Sequence, residues 1–117
     1  MMNIQELAQR YFNLLYTCDV SGFDDIFHPN AQLQTVGANG YTMLTSSRYK
    51  EVLRDRKSPA SQQAVREDRV LLVDQTSETS ALMKVTALIN GTRYCDYLAL
   101  LRVDGRWLIA SKTYVVV

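Results

Sequence analysis

The sequence predicts an α+β fold in which helices pack on one face of a curled antiparallel sheet, and three observations carry that prediction. The last third of the chain is three long apolar strands, Ala81–Ile89, Thr92–Val103 and Arg106–Val117, joined by Asn90-Gly91 and Asp104-Gly105. Both dipeptides favour the positive φ angles of a two-residue type I′ hairpin. Helical periodicity is confined to the first half, so helices come first and an antiparallel run follows. Finally, the last strands exceed the usual ~5–6 residues, and strands of that length twist and curl until helices closing the sheet enclose a cavity.

The elements follow in order. Asn3 with Glu6 forms a helix-capping pair, and Ile4, Leu7, Ala8, Tyr11, Leu14 and Leu15 recur at three- and four-residue spacing, so residues 4–17 make an amphipathic helix. After a corner at 19–22, a short helix over 23–27 presents Phe23, Ile26 and Phe27; Pro29 stops it, because proline lacks the amide donor. Residues 31–36 alternate as a short strand, Gly37, Asn39 and Gly40 turn the chain, and 41–44 return. Ser46 or Ser47 caps a helix over about 48–56 that buries Tyr49, Val52 and Leu53. A polar stretch leads to a strand over about 64–73, and a polar loop at 74–78 carries the chain into the final meander.

The two turns set the pairing. Val85 faces Asp96, Ala87 faces Tyr94 and Met83 faces Leu98; across the second turn Asp96 meets Thr113, Leu98 meets Ser111, Leu100 meets Ile109 and Arg102 meets Trp107. Alternation then gives a mostly apolar face with one acid near its middle, Asp96, flanked by Val85 and Thr113. This face is assigned to the helices and cavity. The opposite face carries the row Lys84, Tyr97 and Lys112, and is too apolar at Leu82, Leu101 and Leu108 for water, so a homodimer through the outer sheet is expected. A bulge in a long strand would exchange the faces beyond it.

Composition narrows the function. The chain of 117 residues is one domain, 1–117, with 47% hydrophobic and 21% charged residues, and its net charge of +1 offers no electrostatic case for nucleic acid or an anionic membrane. No apolar run approaches the ~20 residues of a spanning helix, and the N-terminal residues do not form a signal peptide, so a cytoplasmic location is expected. Cys18 and Cys95 read as free thiols. With one histidine and no Cys/His cluster, neither a metal nor a cofactor is expected.

Phe27-His28-Pro29-Asn30-Ala31, the run from Tyr94-Cys95-Asp96-Tyr97 to Trp107-Leu108-Ile109, and the N-terminal amphipathic helix together resemble the nuclear transport factor 2-like (NTF2-like) superfamily over essentially the whole chain. The likeness is nearest to the proteins called putative lumazine-binding, close to the SnoaL-like polyketide cyclases. The resemblance implies a cone-shaped α+β roll, a sheet wrapped around the N-terminal helices. It also implies a superfamily that mixes isomerases, dehydratases and cyclases with non-catalytic binding and assembly modules. In the ketosteroid isomerases the base is an aspartate a few residues past the alanine that Ala31 matches; here Gln32-Leu33-Gln34-Thr35-Val36 carries no carboxylate. Asp96 stands near where those isomerases place a second carboxyl group.

Asp96 is the first candidate for a site, since a carboxylate among Val85, Leu98 and Ile109 is costly unless paired or protonated. The plainer reading is an acid satisfied by a nearby tyrosine, Thr113 or a backbone amide. His28, the one side chain type that titrates near neutrality, could form an acid–base pair with Asp96; a histidine beside a proline also often bonds the backbone and shapes a turn. Tyr11, Tyr16, Tyr41, Tyr49 and Tyr94 could line an aromatic pocket, or simply fill the core. Trp107 could be a ligand platform or a structural plug. Arg54 and Arg56 could meet an anionic ligand at the cavity mouth, or be solvated helix-end charges.

Three functions compete. The first is binding of a small, mostly apolar or aromatic ligand in one pocket per subunit, with Asp96 as the polar anchor, His28 assisting, and Tyr11, Tyr41, Tyr49, Tyr94, Trp107 and Thr113 as the lining. The second is a cofactor-independent isomerase, dehydratase or cyclase in which Asp96 and His28 are the acid–base partners. The third is a dimeric interaction module whose pocket is vestigial.

Overall fold

Asn3 caps the first helix as its spacing requires. Its side chain accepts from the Glu6 amide at 2.8 Å, and the Glu6 carboxylate receives the Asn3 amide in return. The computed structural model describes residues 2–117. Helix α1 (Ile4–Thr17) buries Leu7, Ala8, Tyr11, Leu14 and Leu15 along one stripe and ends at Cys18 in the left-handed conformation. The next turn is a 3-10 helix, Val20–Asp25, rather than a helix over 23–27; Phe27 already belongs to strand β1 (Phe27–Gly37). Strand β2 (Gly40–Thr45) returns antiparallel to it, and helix α2 (Ser46–Asp55) is capped by Thr45, whose hydroxyl accepts from the Arg48 amide, instead of by Ser46 or Ser47.

Strand β3 (Asp68–Gln75) begins later than the apolar pattern suggests, because residues before it form a 3-10 turn and an extended linker. Strands β4 (Ser80–Ile89), β5 (Thr92–Val103) and β6 (Arg106–Val116) form the meander. At both connections the two central residues have positive φ: Asn90 and Gly91, then Asp104 and Gly105. These are type I′ turns, whose twist matches that of the flanking strands.

The six strands lie in the order β2-β1-β6-β5-β4-β3. All neighbours are antiparallel except β1 and β6, which run parallel and make the sheet mixed. Helix α1 packs against β4 and β6, and α2 against β1. The concave face between them is the core, with Met83, Val85, Leu98, Leu100 and Ile109 inaccessible or nearly so. A chain of aromatic contacts runs through it, with Phe23 stacked on Phe27 at 4.7 Å and Phe27 meeting the edge of Tyr49 at 5.7 Å. Cys18 and Cys95 are free thiols.

Pairing of β4 with β5 follows the turn arithmetic throughout, Val85 facing Asp96 and Ala87 facing Tyr94. Between β5 and β6 it holds only near the turn, with Arg102 opposite Trp107 and Leu100 opposite Ile109. Ala99 then pairs with Ser111, which leaves Ala110 as an extra residue in β6. This β-bulge exchanges the faces of everything beyond it. Tyr114, not Thr113, stands opposite Asp96, and Lys112, which simple alternation puts on the outer face, faces Leu98 on the inner one. Leu108, expected to be exposed on the outer face, is buried; Leu82 and Leu101 remain exposed.

Candidate functional site

Four elements bring polar side chains to one place on the concave face. Tyr11 is carried there on the buried stripe of α1 and Tyr49 on that of α2. Asp96 alternates inward with Tyr94 and Leu98 along β5, and Lys112 is turned inward by the bulge in β6. Asp96 is 2% exposed and Lys112 6%, so both charges are taken out of water. Such burial is costly unless each group finds a partner.

The Tyr11 hydroxyl donates to Asp96 Oδ2 at 2.5 Å. Lys112 Nζ donates to the Tyr49 hydroxyl at 3.1 Å and lies 3.9 Å from the same Asp96 oxygen, an ion pair without a hydrogen bond. Three rings surround the ammonium, with centres 4.7 Å away in Tyr49, 5.2 Å in Tyr11 and 5.4 Å in Tyr114. Such a contact is worth about 0.5–1 kcal/mol at an exposed site and about 2 kcal/mol when desolvated, so the three rings together offset part of the cost of burying the charge. Asp96 Oδ1 has no hydrogen-bond partner among the described residues.

Burial works against the Lys112 ammonium, but the Tyr49 oxygen and the Asp96 carboxylate facing it outweigh that, and its pKa lies above the ordinary lysine value. Burial, reinforced by Asp96, pushes the Tyr11 phenol well above the ordinary value too. At neutral pH Tyr11 therefore stays a hydrogen-bond donor and Lys112 a cation. Neither offers a basic atom at that pH, and Asp96 Oδ1 is the buried acceptor of the cluster that stands unpartnered among the described residues.

Beside the cluster lies a cavity of about 140 Å³ lined by Leu44, Tyr49, Val52, Arg56, Ile89, Tyr94, Asp96, Lys112 and Tyr114. Tyr49, Asp96 and Lys112 are buried and form its floor, whereas the other lining residues are half-buried and lie nearer the surface. A larger depression, about 650 Å³, sits on the outer face between β3, β4 and β5. Acids along it are already paired, Glu67 with Arg93 at 2.9 Å and Asp68 with Arg66 at 2.8 Å, and it holds no orphaned buried group among the described residues.

The site residues expected from the sequence separate into two sets. Asp96, Tyr11, Tyr49 and Tyr94 come together at or beside this cavity. His28 does not line it; its Nδ1 accepts from the Asn30 amide at 3.0 Å and shapes the irregular start of β1. Tyr41 is 63% exposed on the β1–β2 hairpin. Thr113 points away from Asp96 because of the bulge, and its hydroxyl accepts from Gln34. Trp107 is buried at a separate small hollow with Met2, Arg10, Asp25 and Arg106. Lys112 and Tyr114, both absent from the expected set, replace Thr113. Among the described residues no three His, Cys, Asp or Glu side chains could hold a metal ion together, and no helix is long and apolar enough to cross a membrane.

Solved structures share this architecture. One, an NTF2-like protein of unknown function from Silicibacter pomeroyi DSS-3, is 19% identical with a TM-score of 0.86, covering 97% of this chain and 92% of that one. Another, from Shewanella baltica OS155 and also of unknown function, is 22% identical with a TM-score of 0.85, covering 97% and 90%. A ketosteroid isomerase-like protein from Erwinia carotovora atroseptica SCRI1043 is more distant, at 14% identity and a TM-score of 0.74 over 97% and 93%. These likenesses define the class: an α+β protein of the NTF2-like fold. Within that class the chain belongs to the family described as Putative lumazine-binding, whose model matches residues 1–115. No curated protein matches the chain.

Proposed function

We propose that this protein binds a small molecule in the cavity over Asp96 and Lys112. The observation that carries the reading is a buried carboxylate that lines a cavity with one oxygen unpartnered. An unsatisfied buried acceptor costs about 1–3 kcal/mol, and a ligand bearing a donor recovers that on binding. Half-buried Tyr94 and Tyr114 offer aromatic faces at the mouth, and Leu44, Val52 and Ile89 an apolar wall.

Size limits the ligand. A volume of about 140 Å³ matches the cavity of about 150 Å³ that takes up a single benzene ring in another protein. A fused two-ring pteridine, the ligand class in the family's name, would have to leave one ring outside the mouth. An acid–base enzyme built on Asp96 and His28 finds no support in the geometry, since His28 lies outside the lining and its Nδ1 is bonded to Asn30.

Methyl-resolved NMR of the full chain against ring-sized fragments tests the binding reading. Binders should shift the methyl signals of Leu44, Val52 and Ile89, and Asp96→Asn should weaken those that bear a donor about fivefold, the difference between a charged and a neutral hydrogen bond. Fragments that shift only residues of the outer depression would contradict it.

The functional unit we propose is a homodimer through the outer sheet face. Support comes from Leu72, Leu82, Tyr97 and Leu101, large side chains 37% to 51% exposed on the strands of the meander and its edge. The edge strand adds Leu71, exposed at the bulge beside Leu72, and an uncovered apolar edge of this kind is ordinarily hidden by a partner.

A further inference from the structure

The cavity carries a charge that its own walls do not balance. Its charged lining residues are Arg56, Asp96 and Lys112, two cations against one anion. Asp96 is engaged through Oδ2 alone, by the Tyr11 hydroxyl and at longer range by Lys112. Lys112 has three N–H donors and gives one, to Tyr49. Arg56 closes α2, is half-buried, and forms no ion pair among the described residues. The site therefore holds one positive charge in surplus, an ammonium at its floor that makes a single hydrogen bond, a guanidinium nearer its mouth, and one idle carboxylate acceptor beside them.

We infer that the cavity takes a compact organic monoanion: a carboxylate held by Lys112 and Arg56, on a body of about one ring, with a hydroxyl or N–H donor for Asp96 Oδ1. The assignment rests on the binding reading above and specifies the chemistry of its ligand. A cation is disfavoured because Asp96 already faces Lys112 and a second ammonium would be desolvated against the first. A neutral ligand gives neither the Lys112 ammonium nor the Arg56 guanidinium a counter-charge. A phosphate dianion exceeds the surplus by one charge and would be buried partly unpaired. A carboxylate matches the charge, and its two oxygens can accept from both cations at once.

The raised pKa of Lys112 keeps the ammonium charged across the neutral range. Anion binding should thus be flat with pH up to the lysine range. It should weaken with salt only modestly, since the floor of the site is out of reach of solvent ions.

The test is a screen of the full chain against shape-matched sets of ring-sized carboxylic acids, primary amides and amines, with and without a neighbouring hydroxyl. Binding is read at the methyl signals of Leu44, Val52 and Ile89. Acids should dominate the binders, hydroxy acids above their deoxy counterparts. Arg56→Met and Lys112→Met should each weaken the acids about tenfold or more, and weaken any bound amide by clearly less, since it loses a hydrogen bond but no charge pairing. Arg56 is half-buried and unpaired, so its variant stays folded even if the Lys112 variant does not. Asp96→Asn, which keeps only a neutral amide oxygen as acceptor, should reduce the preference for the hydroxyl about fivefold. Amides or amines binding at these methyls as well as the acids do would overturn the anion assignment and leave the binding reading standing. No binder from any charge class at these methyls would overturn both.

Discussion

At the scale of single residues, the decisive pair is Asp96 and Lys112, and the two differ in how legible they were. Asp96 could be named from the sequence because Asn90-Gly91 pins its register against β4 and period-two alternation does the rest. Lys112 lies beyond an unmarked irregularity, and alternation sends it to the wrong face. The proton balance of the cluster gives a check. Tyr11 and Lys112 both hold their protons more tightly folded than unfolded, from ordinary values of 10.0 and 10.5. Their contribution to stability is therefore complete below about pH 10 and is lost as the pH rises through the raised folded values. Thermal melts between pH 7 and 11.5 should be level at first and then fall, and the fall should be shallower in Tyr11→Phe. A fall of the same slope in the variant would remove Tyr11 from the coupled cluster. Tyr11→Phe should also cost about 1–3 kcal/mol at pH 7, because it leaves the buried Asp96 carboxylate without a hydrogen bond.

At the scale of elements, the bulge at Ala110 decides what the site contains. Nothing in Ile109-Ala110-Ser111 announces it: there is no glycine or proline, and the flanking pattern reads as a continuous strand. The hairpin turns were legible because positive φ demands particular residues, whereas a bulge in a strand can form from ordinary ones. Two outcomes follow. Lys112 should resist an amine-acetylating reagent in the native protein while the exposed Lys57 reacts readily, read by mass spectrometry. Deleting Ala110 removes the extra residue yet preserves the pairs Ala99–Ser111 and Leu98–Lys112 that flank it, so Lys112 should stay protected. Lys112 reacting as fast as Lys57 in the native protein would contradict its inward placement. The start of β1 was less legible for a related reason: His28-Pro29 reads as a helix stop, but it lies in an irregular stretch of strand pairing parallel to β6, a long-range partnership that no local pattern encodes.

At the scale of the whole molecule, helices first and sheet after defined the architecture, and the long strands foretold a concave interior. What the sequence could not reveal was how little of that interior stays open. Phe23, Phe27, Leu7 and Leu33 fill most of it, leaving about 140 Å³ beside the polar cluster. The outer face carries its own prediction. Leu82→Glu with Leu101→Glu should convert a dimer to a monomer in sedimentation while leaving the melting temperature of the subunit little changed; a wild-type chain that sediments as a monomer at high micromolar concentration would end the dimer proposal. The central claim, that the Asp96–Lys112 cavity is a ligand site, is met most directly by a high-resolution crystal structure of protein taken straight from its expression host. The account predicts ordered density over the cavity floor, in contact with Asp96 Oδ1 and Lys112 Nζ. A cavity closed by the protein's own side chains, with Asp96 Oδ1 bonded to one of them, would contradict it.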